Sequence, residues 1–200
     1  MGLILVGLYV ACEIIANVTA GRPVQVGSIV VPSAVFIYTL TFTLVDLIHE
    51  VFGKKGTRKV IYGAFLANIL LAAHSYLVIH LPAPTFFSES RAYSVVLGST
   101  PRIVCASLIA YLVSSLVDIE VYHLWQNRVK RWKWSRVLMS NVFSTFVDSV
   151  VFIFLAFYGS LPVIPLVKGQ YLIKMAITVI SLPLIYIPSL RNRVVKAAAG

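Results

Sequence analysis

The chain has 200 residues, of which 59% are hydrophobic and 12% charged, and its mean hydropathy is +0.90. Soluble globular domains carry about 25% charged residues, so this composition excludes an ordinary soluble domain and indicates a single polytopic membrane domain. The formal net charge of +10 does not indicate nucleic-acid binding, because the basic residues flank apolar segments.

Apolar stretches of membrane-spanning length recur along the chain, separated by brief connections. They predict an all-α bundle of six transmembrane helices that forms one domain over residues 1–200. The predicted spans cover residues 2–18, 28–50, 60–81, 101–124, 136–158 and 168–188. The longest connection, 82–100, is rich in proline and aromatic residues, which predicts an interfacial or partly re-entrant segment.

The basic residues are divided unequally between the two sides of the predicted bundle. Twelve Lys and Arg residues lie in the alternate segments 54–59, 128–136 and 191–196, against four in the opposite loops. The positive-inside rule therefore predicts a multi-pass protein of the inner (plasma) membrane with both termini in the cytoplasm.

Acidic residues in or at the ends of the apolar segments are the strongest functional signal: Glu13, Asp46, Glu50, Asp118 and Asp148. A charge near the bilayer centre costs roughly 2.5–3.5 kcal/mol on insertion scales. Such residues face a bundle interior, pair with another group or bind a polar solute. Asp148 falls mid-span, whereas Asp118 lies nearer the predicted cytoplasmic surface, where a charged side chain costs little free energy.

Helical spacing places polar side chains on one face of five of the six predicted helices. These faces are Tyr9, Glu13 and Asn17; Tyr38, Phe42, Asp46 and Glu50; Ser107, Tyr111, Ser114 and Asp118; Asn141, Ser144, Thr145 and Asp148; and Lys174, Thr178 and Ser181. The simplest arrangement turns them toward a common cavity, although hydroxyl groups also join neighbouring helices. Lys174 can either contact solute or pair with an acid, for which Glu13 is the candidate.

The polar faces suit a small, planar, polar solute. Carboxylates accept adjacent N–H donors of a heterocycle, and aromatic faces stack on its ring. The same groups suit a cation or protons, so residue types alone leave the solute open. We expect no enzyme, no cofactor, no metal site and no disulfide, because no catalytic or metal-ligand motif is apparent and both Cys12 and Cys105 lie in apolar segments.

The sequence context of Asp46 recurs at Asp148. Residues 41–46 read Thr-Phe-Thr-Leu-Val-Asp, and residues 144–148 read Ser-Thr-Phe-Val-Asp. Spans 2 and 5 are equivalent if the six spans divide into two groups of three. The sequence thus predicts a 3+3 inverted repeat, a common transporter plan with its site at the repeat interface.

Four motifs in this chain resemble those of the queuosine precursor transporter family, formerly described as a vitamin uptake family. They are Asp46-Leu-Ile-His-Glu50-Val-Phe-Gly-Lys-Lys; Thr100-Pro-Arg-Ile with Ala106 through Ser114 and Asp118; Ser140-Asn141 with Ser144 and Asp148-Ser149; and Asn17-Val-Thr-Ala20. The resemblance covers roughly residues 10–160 in order and spacing. The chain departs from the family's motifs at Gly21-Arg22, Ser115 and Thr145, where the family has Asn-Lys, Gln and Gln.

This resemblance implies import of 7-cyano-7-deazaguanine or 7-aminomethyl-7-deazaguanine, precursors of the modified tRNA nucleoside queuosine. Carried over by position, it implies that Asp148 and Asn141 bind the heterocycle and that Asp46 and Glu50 are coupling or site residues. The predicted site is completed by Ser144, Phe42, Tyr111, Asn17 and Arg102.

Alternatives stay open for one residue and for the mode of transport. Arg102 can bind solute or instead pair with Glu89. The chain can act alone by alternating access, or serve as the substrate-binding S-component of an energy-coupling-factor importer for a vitamin or purine-like solute. Candidate partners are therefore a second copy of the chain or energy-coupling-factor subunits, beside the lipid bilayer and the solute. The acids permit proton coupling without demonstrating it.

Overall fold

The description of the computed structural model covers residues 2–128 and 133–181, and the side chains of Phe42, Asp46 and Glu50 lie outside it. In chain order the elements are α1 (Gly2–Thr19), β1 (Pro23–Val26), β2 (Ile29–Pro32), α2 (Ala34–His80), α3 (Ser90–Arg128), α4 (Lys133–Phe157) and α5 (Val163–Ser181). Within these residues helices dominate, in agreement with the predicted all-α membrane bundle, and the exception is one β-hairpin.

Among the described residues, five helical stretches are long and apolar enough to cross a membrane. They are Gly2–Thr19, Val51–His80, Ser90–Trp125, Leu138–Phe157 and Val163–Ile180. The predicted second span, 28–50, corresponds to a shorter apolar helix over Ala34–His49. The last helix begins five residues before the predicted start at 168, and the predicted residues 182–188 fall outside the description.

Helix α2 is broken at Gly53, near the start of the membrane-length stretch Val51–His80. Gly53 has φ 65° and ψ 179°, a conformation that is essentially restricted to glycine. The predicted connection between spans 2 and 3 is therefore a kink at one residue, with helix resuming directly after it. Lys54, Lys55 and Lys59 belong to this resumed helix. Their presence is compatible with it, because lysine is a good helix former.

The β-hairpin overlaps the start of the predicted second span, 28–50, through its strand β2. Strands β1 and β2 pair antiparallel, with Val24 opposite Val31 and Val26 opposite Ile29. The two-residue connection between them contains a glycine, which suits a tight hairpin turn. Val31 is fully buried, and β2 packs against α5. The hairpin thus joins the bundle rather than extending away from it.

The connection before the fourth predicted span is shorter than expected. Helix α3 begins at Ser90 and contains Pro101 within it, so only residues 81–89 connect it to α2. The prediction began this span at residue 101 from the length of the apolar segment and its breakers. An internal proline is tolerated in a membrane helix because neighbouring groups satisfy the freed backbone carbonyl.

Two clusters of buried apolar side chains form the core. The smaller joins α1 to α2 through Tyr9, Ile48 and Ala64. Large apolar side chains such as Leu66 and Leu116 are exposed, as lipid contact permits. The larger cluster joins the end of α1 to α3, α4 and α5, and its alanines allow close helix approach. Its members are Ala20, Ile103, Ala106, Ala110, Phe152, Ile153, Ala156, Phe157 and Leu166.

Candidate functional site

A cavity opens between the five helices, beside the end of the hairpin. Its empty volume is about 480 Å³, including the part that is continuous with the outside. Small apolar side chains such as Ala16 and Val35 form much of its wall. The polar and aromatic side chains of its lining are Asn17, Tyr38, Ser107, Asp148, Phe152, Gln170 and Lys174. The cavity therefore combines flat apolar surfaces with a few polar groups, as ligand sites commonly do.

An ion pair joins α4 to α5 in the wall of this cavity. Lys174 Nζ donates a hydrogen bond to Asp148 Oδ2, and the two side chains are 12% and 18% exposed. The same Nζ lies 5.0 Å from the centroid of the Tyr38 ring, in a cation–π arrangement. The lining thus carries two opposite charges that compensate each other.

Glu13 is not part of the Asp148–Lys174 ion pair. The sequence offered Glu13 as the candidate partner of Lys174, but the ammonium binds Asp148 instead. Helices α4 and α5 pack against each other, which brings Asp148 within direct reach. Glu13 precedes Asn17 by one turn of α1.

A chain of hydrogen bonds connects three helices through Asn17. The Asn17 side-chain amide donates to Asn68 Oδ1 at 2.8 Å, and Asn17 Oδ1 accepts from Ser107 Oγ at 2.8 Å. Asn68 Nδ2 donates in turn to the Ala64 carbonyl at 3.0 Å. Asn17 and Asn68 are both buried. Burying an amide without hydrogen-bond partners costs free energy. These hydrogen bonds therefore fix the position of Asn17 at the cavity wall.

Gln170 is a cavity residue that was not singled out from the sequence. It lies four residues before Lys174 on α5 and is 4% exposed. One turn added to the predicted face of Lys174, Thr178 and Ser181 would have found it. The preceding Gly169 packs so closely on β2 that a Cβ there would overlap the Val30 carbonyl oxygen. The hairpin therefore sets the position of this turn of α5.

Comparison with known proteins identifies the family. Residues 32–188 match the family described as "Putative vitamin uptake transporter". The chain belongs to this family of membrane transporters. No solved structure matches it significantly.

Curated relatives of this vitamin uptake transporter family member carry a more specific name. The chain is 27% identical to a "Probable queuosine precursor transporter" of Bacillus subtilis, over 93% of this chain and 82% of that protein. It is 29% identical to a protein of the same name from Haemophilus influenzae, over 61% of this chain and 52% of the relative. It is 25% identical to the "Queuosine precursor transporter" of Escherichia coli, over 62% and 54%.

Asp148 and Asn17 are the predicted site residues that line the cavity in this family member. Asn141 lies two turns before Asp148 on α4 and outside the lining. Asp46, Glu50 and Phe42 belong to α2 before the break at Gly53, and their side chains lie outside the description.

Ser144 and Tyr111 form contacts between helices outside the lining. Ser144 Oγ donates to Asp118 Oδ1 at 3.2 Å, which joins α4 to α3. The Tyr111 ring is 38% exposed and meets the Phe65 ring edge-on, with 5.2 Å between ring centroids. These two predicted site residues are therefore used in helix packing in this structure.

Arg102 caps a helix instead of forming the pair with Glu89 that was one of its two predicted roles. Its Nε donates to the Leu155 carbonyl at 2.7 Å, and its Nη2 donates to the Tyr158 carbonyl at 2.8 Å. Carbonyl groups at a helix C-terminus lack partners within the helix and attract cations. Arg102 therefore ties α3 to the end of α4, whereas Glu89 accepts a bond from Ser88.

Proposed function

We propose that this chain imports queuosine precursors, 7-cyano-7-deazaguanine or 7-aminomethyl-7-deazaguanine, across the inner membrane for tRNA modification. The names of its relatives support this solute class. The cavity supports it independently, because its lining suits a flat heterocycle with several hydrogen-bonding groups.

The observation that carries the proposal is the compensated ion pair in the cavity wall. One oxygen of Asp148 receives the Lys174 ammonium, and the remaining carboxylate lone pairs can accept adjacent N–H donors. The 2-amino group and the ring N–H of a 7-deazaguanine supply such donors side by side. Because the lysine already balances the carboxylate, the solute does not have to bring a compensating charge.

The aromatic side chains Tyr38 and Phe152 complete the proposed site. They belong to different helices and both line the cavity, so each can present a face or an edge to a planar ring. Asn17 and Ser107 add fixed polar groups on a third side. Direct roles for Asn141, Ser144, Asp46, Glu50, Phe42, Tyr111 and Arg102 stay predictions.

Alternating access is the mechanism that we propose for this site. When the cavity is empty, Lys174 compensates Asp148, so the carboxylate does not remain unpaired while the protein changes conformation. Solute binding adds N–H donors to the carboxylate lone pairs that Lys174 leaves free. Six spans in a 3+3 inverted repeat and cytoplasmic termini remain parts of this proposal.

The test uses a bacterium that lacks both its own precursor importer and de novo queuosine synthesis. The chain is expressed, 7-cyano- or 7-aminomethyl-7-deazaguanine is supplied at limiting concentration, and queuosine is measured in tRNA. We expect wild-type protein to restore queuosine and Asp148→Asn to fail at equal membrane abundance. Absence of queuosine with folded wild-type protein would contradict stand-alone import, and co-purifying ATP-driven subunits would then support the S-component alternative.

A further inference from the structure

The Gln170 side chain is buried at the cavity without a hydrogen-bond partner among the described residues. It is 4% exposed and belongs to the cavity lining. A carboxamide has two N–H donors and a carbonyl acceptor. A carboxamide in a mostly buried position is unfavourable unless a partner satisfies its hydrogen bonds. Gln170 lines the cavity, so a molecule in the cavity can supply that partner.

Two other buried amides in this part of the bundle, those of Asn17 and Asn68, do have hydrogen-bond partners. Asn17 and Asn68 bond each other, and their remaining bonds go to Ser107 and to the Ala64 carbonyl. Both are as buried as Gln170. The fold therefore pairs the buried amides that join helices, and leaves unpaired the one that faces the cavity from α5.

The backbone that carries Gln170 is held firmly. Gly169 contacts the Val30 carbonyl so closely that no side chain fits between them, and Leu166, one turn earlier, is 1% exposed in the core. One turn later, Lys174 is fixed by Asp148 and Tyr38. The amide is thus presented from a rigid element, as recognition of a small solute requires.

We propose that Gln170 is a specificity-determining residue whose carboxamide binds the solute directly. The inference rests on the proposed function and extends it to the chemistry of a second solute edge. An amide donates and accepts side by side, so its complement is an edge with one acceptor and one N–H donor. A 7-deazaguanine base has such edges beside the donors assigned to Asp148, whereas a simple cation has none.

The test measures binding of 7-cyano-7-deazaguanine to the purified full chain by isothermal titration calorimetry. Gln170→Leu removes both hydrogen-bonding groups while keeping similar side-chain size. We expect the Kd to rise about tenfold, the effect of losing roughly 1.4 kcal/mol of hydrogen bonding. The melting temperature of the empty protein should stay level or rise, because the substitution removes no hydrogen bond to the described part of the chain and adds an apolar side chain.

Ser149→Ala is the matched control. Ser149 Oγ is a buried polar atom without a partner in the described part of the chain, but Ser149 lies outside the cavity lining. We expect its melting temperature to stay level or rise as well, with an unchanged Kd. The pair of variants separates removal of an unpaired polar group from loss of a contact with the solute.

Other results overturn the inference in distinguishable ways. An unchanged Kd in Gln170→Leu, or a loss of binding with a lower melting temperature, would assign Gln170 a structural role. Wild-type binding without import in cells would contradict the transport proposal while leaving the Kd comparison valid. Wild-type protein that does not bind the base would overturn both.

Discussion

Asp148 and Asp118 are carboxylates on adjacent, packed helices, yet their surroundings differ. Asp148 binds the ammonium of Lys174 and lines a cavity shared by several helices. Asp118 accepts a hydrogen bond from Ser144 across the α3–α4 contact, outside that lining. An acid in an apolar helix is therefore not a solute site by itself. The cavity and the compensating charge distinguish the region that we assign to solute from the region that holds helices together.

The largest expected effect comes from breaking the charge compensation at Asp148. Lys174→Met leaves a buried carboxylate unpaired, which costs about 3–5 kcal/mol, so we expect a sharply lower melting temperature and loss of uptake. Asp148→Asn combined with Lys174→Gln removes both charges and should recover most of the stability without recovering uptake. Equal stability of the single variant and wild type would show that the ion pair is unimportant.

A second change disturbs the cavity without touching any of its polar groups. Gly169→Ala places a methyl group against the Val30 carbonyl and should destabilise the protein by about 1–3 kcal/mol, with lower uptake because α5 shifts. Gly63→Ala is the control, since a Cβ at Gly63 meets nothing within 4 Å. That helical position should become slightly more stable by thermal melting. Equal stability and equal uptake in the two variants would show that the contact between the hairpin and α5 does not position the cavity residues.

A third change removes the polar junction on α1. Asn17→Ala takes away the partner of both Asn68 and Ser107, and hydrogen bonds between membrane helices contribute about 0.6 kcal/mol each on average. We expect a loss of about 1 kcal/mol in stability and a weaker affinity for solute, measured by melting and by calorimetry. Full affinity in this variant would remove the Asn17 amide from the proposed site.

The smallest expected effect is at the second carboxylate of the comparison. Asp118→Asn keeps an acceptor for Ser144, so stability should change by less than about 0.6 kcal/mol. Uptake should remain close to that of wild type, in contrast to Asp148→Asn. If Asp118→Asn abolished uptake at normal membrane abundance, the distinction between the two carboxylates would fail.

The helical character of the fold and several cavity residues were predictable from the sequence. The apolar stretches of membrane-spanning length predicted the helices. Helical spacing predicted polar faces that contain Asn17, Ser107 and Asp148, and these three residues line the cavity. These predictions succeed because helix periodicity and the cost of burying polar groups in lipid are local properties.

Partners across helices were not predictable, since they depend on packing. The partner of Lys174 was offered as Glu13 and is Asp148. Arg102 binds carbonyl groups more than fifty residues away, which spacing along α3 cannot reveal. The hairpin was not predicted, because its valines and isoleucine also suit the start of an apolar helix. Only the glycine at its centre favours a turn.

Transport by the purified chain tests the central claim most directly. Initial uptake of labelled 7-cyano-7-deazaguanine would be measured in proteoliposomes holding wild type, Asp148→Asn or Asp118→Asn, without ATP or other subunits. We predict saturable uptake by wild type and Asp118→Asn, and uptake by Asp148→Asn no greater than that of protein-free liposomes. Wild-type rates in Asp148→Asn, or equal losses at both positions, would contradict a solute site built around the Asp148–Lys174 pair.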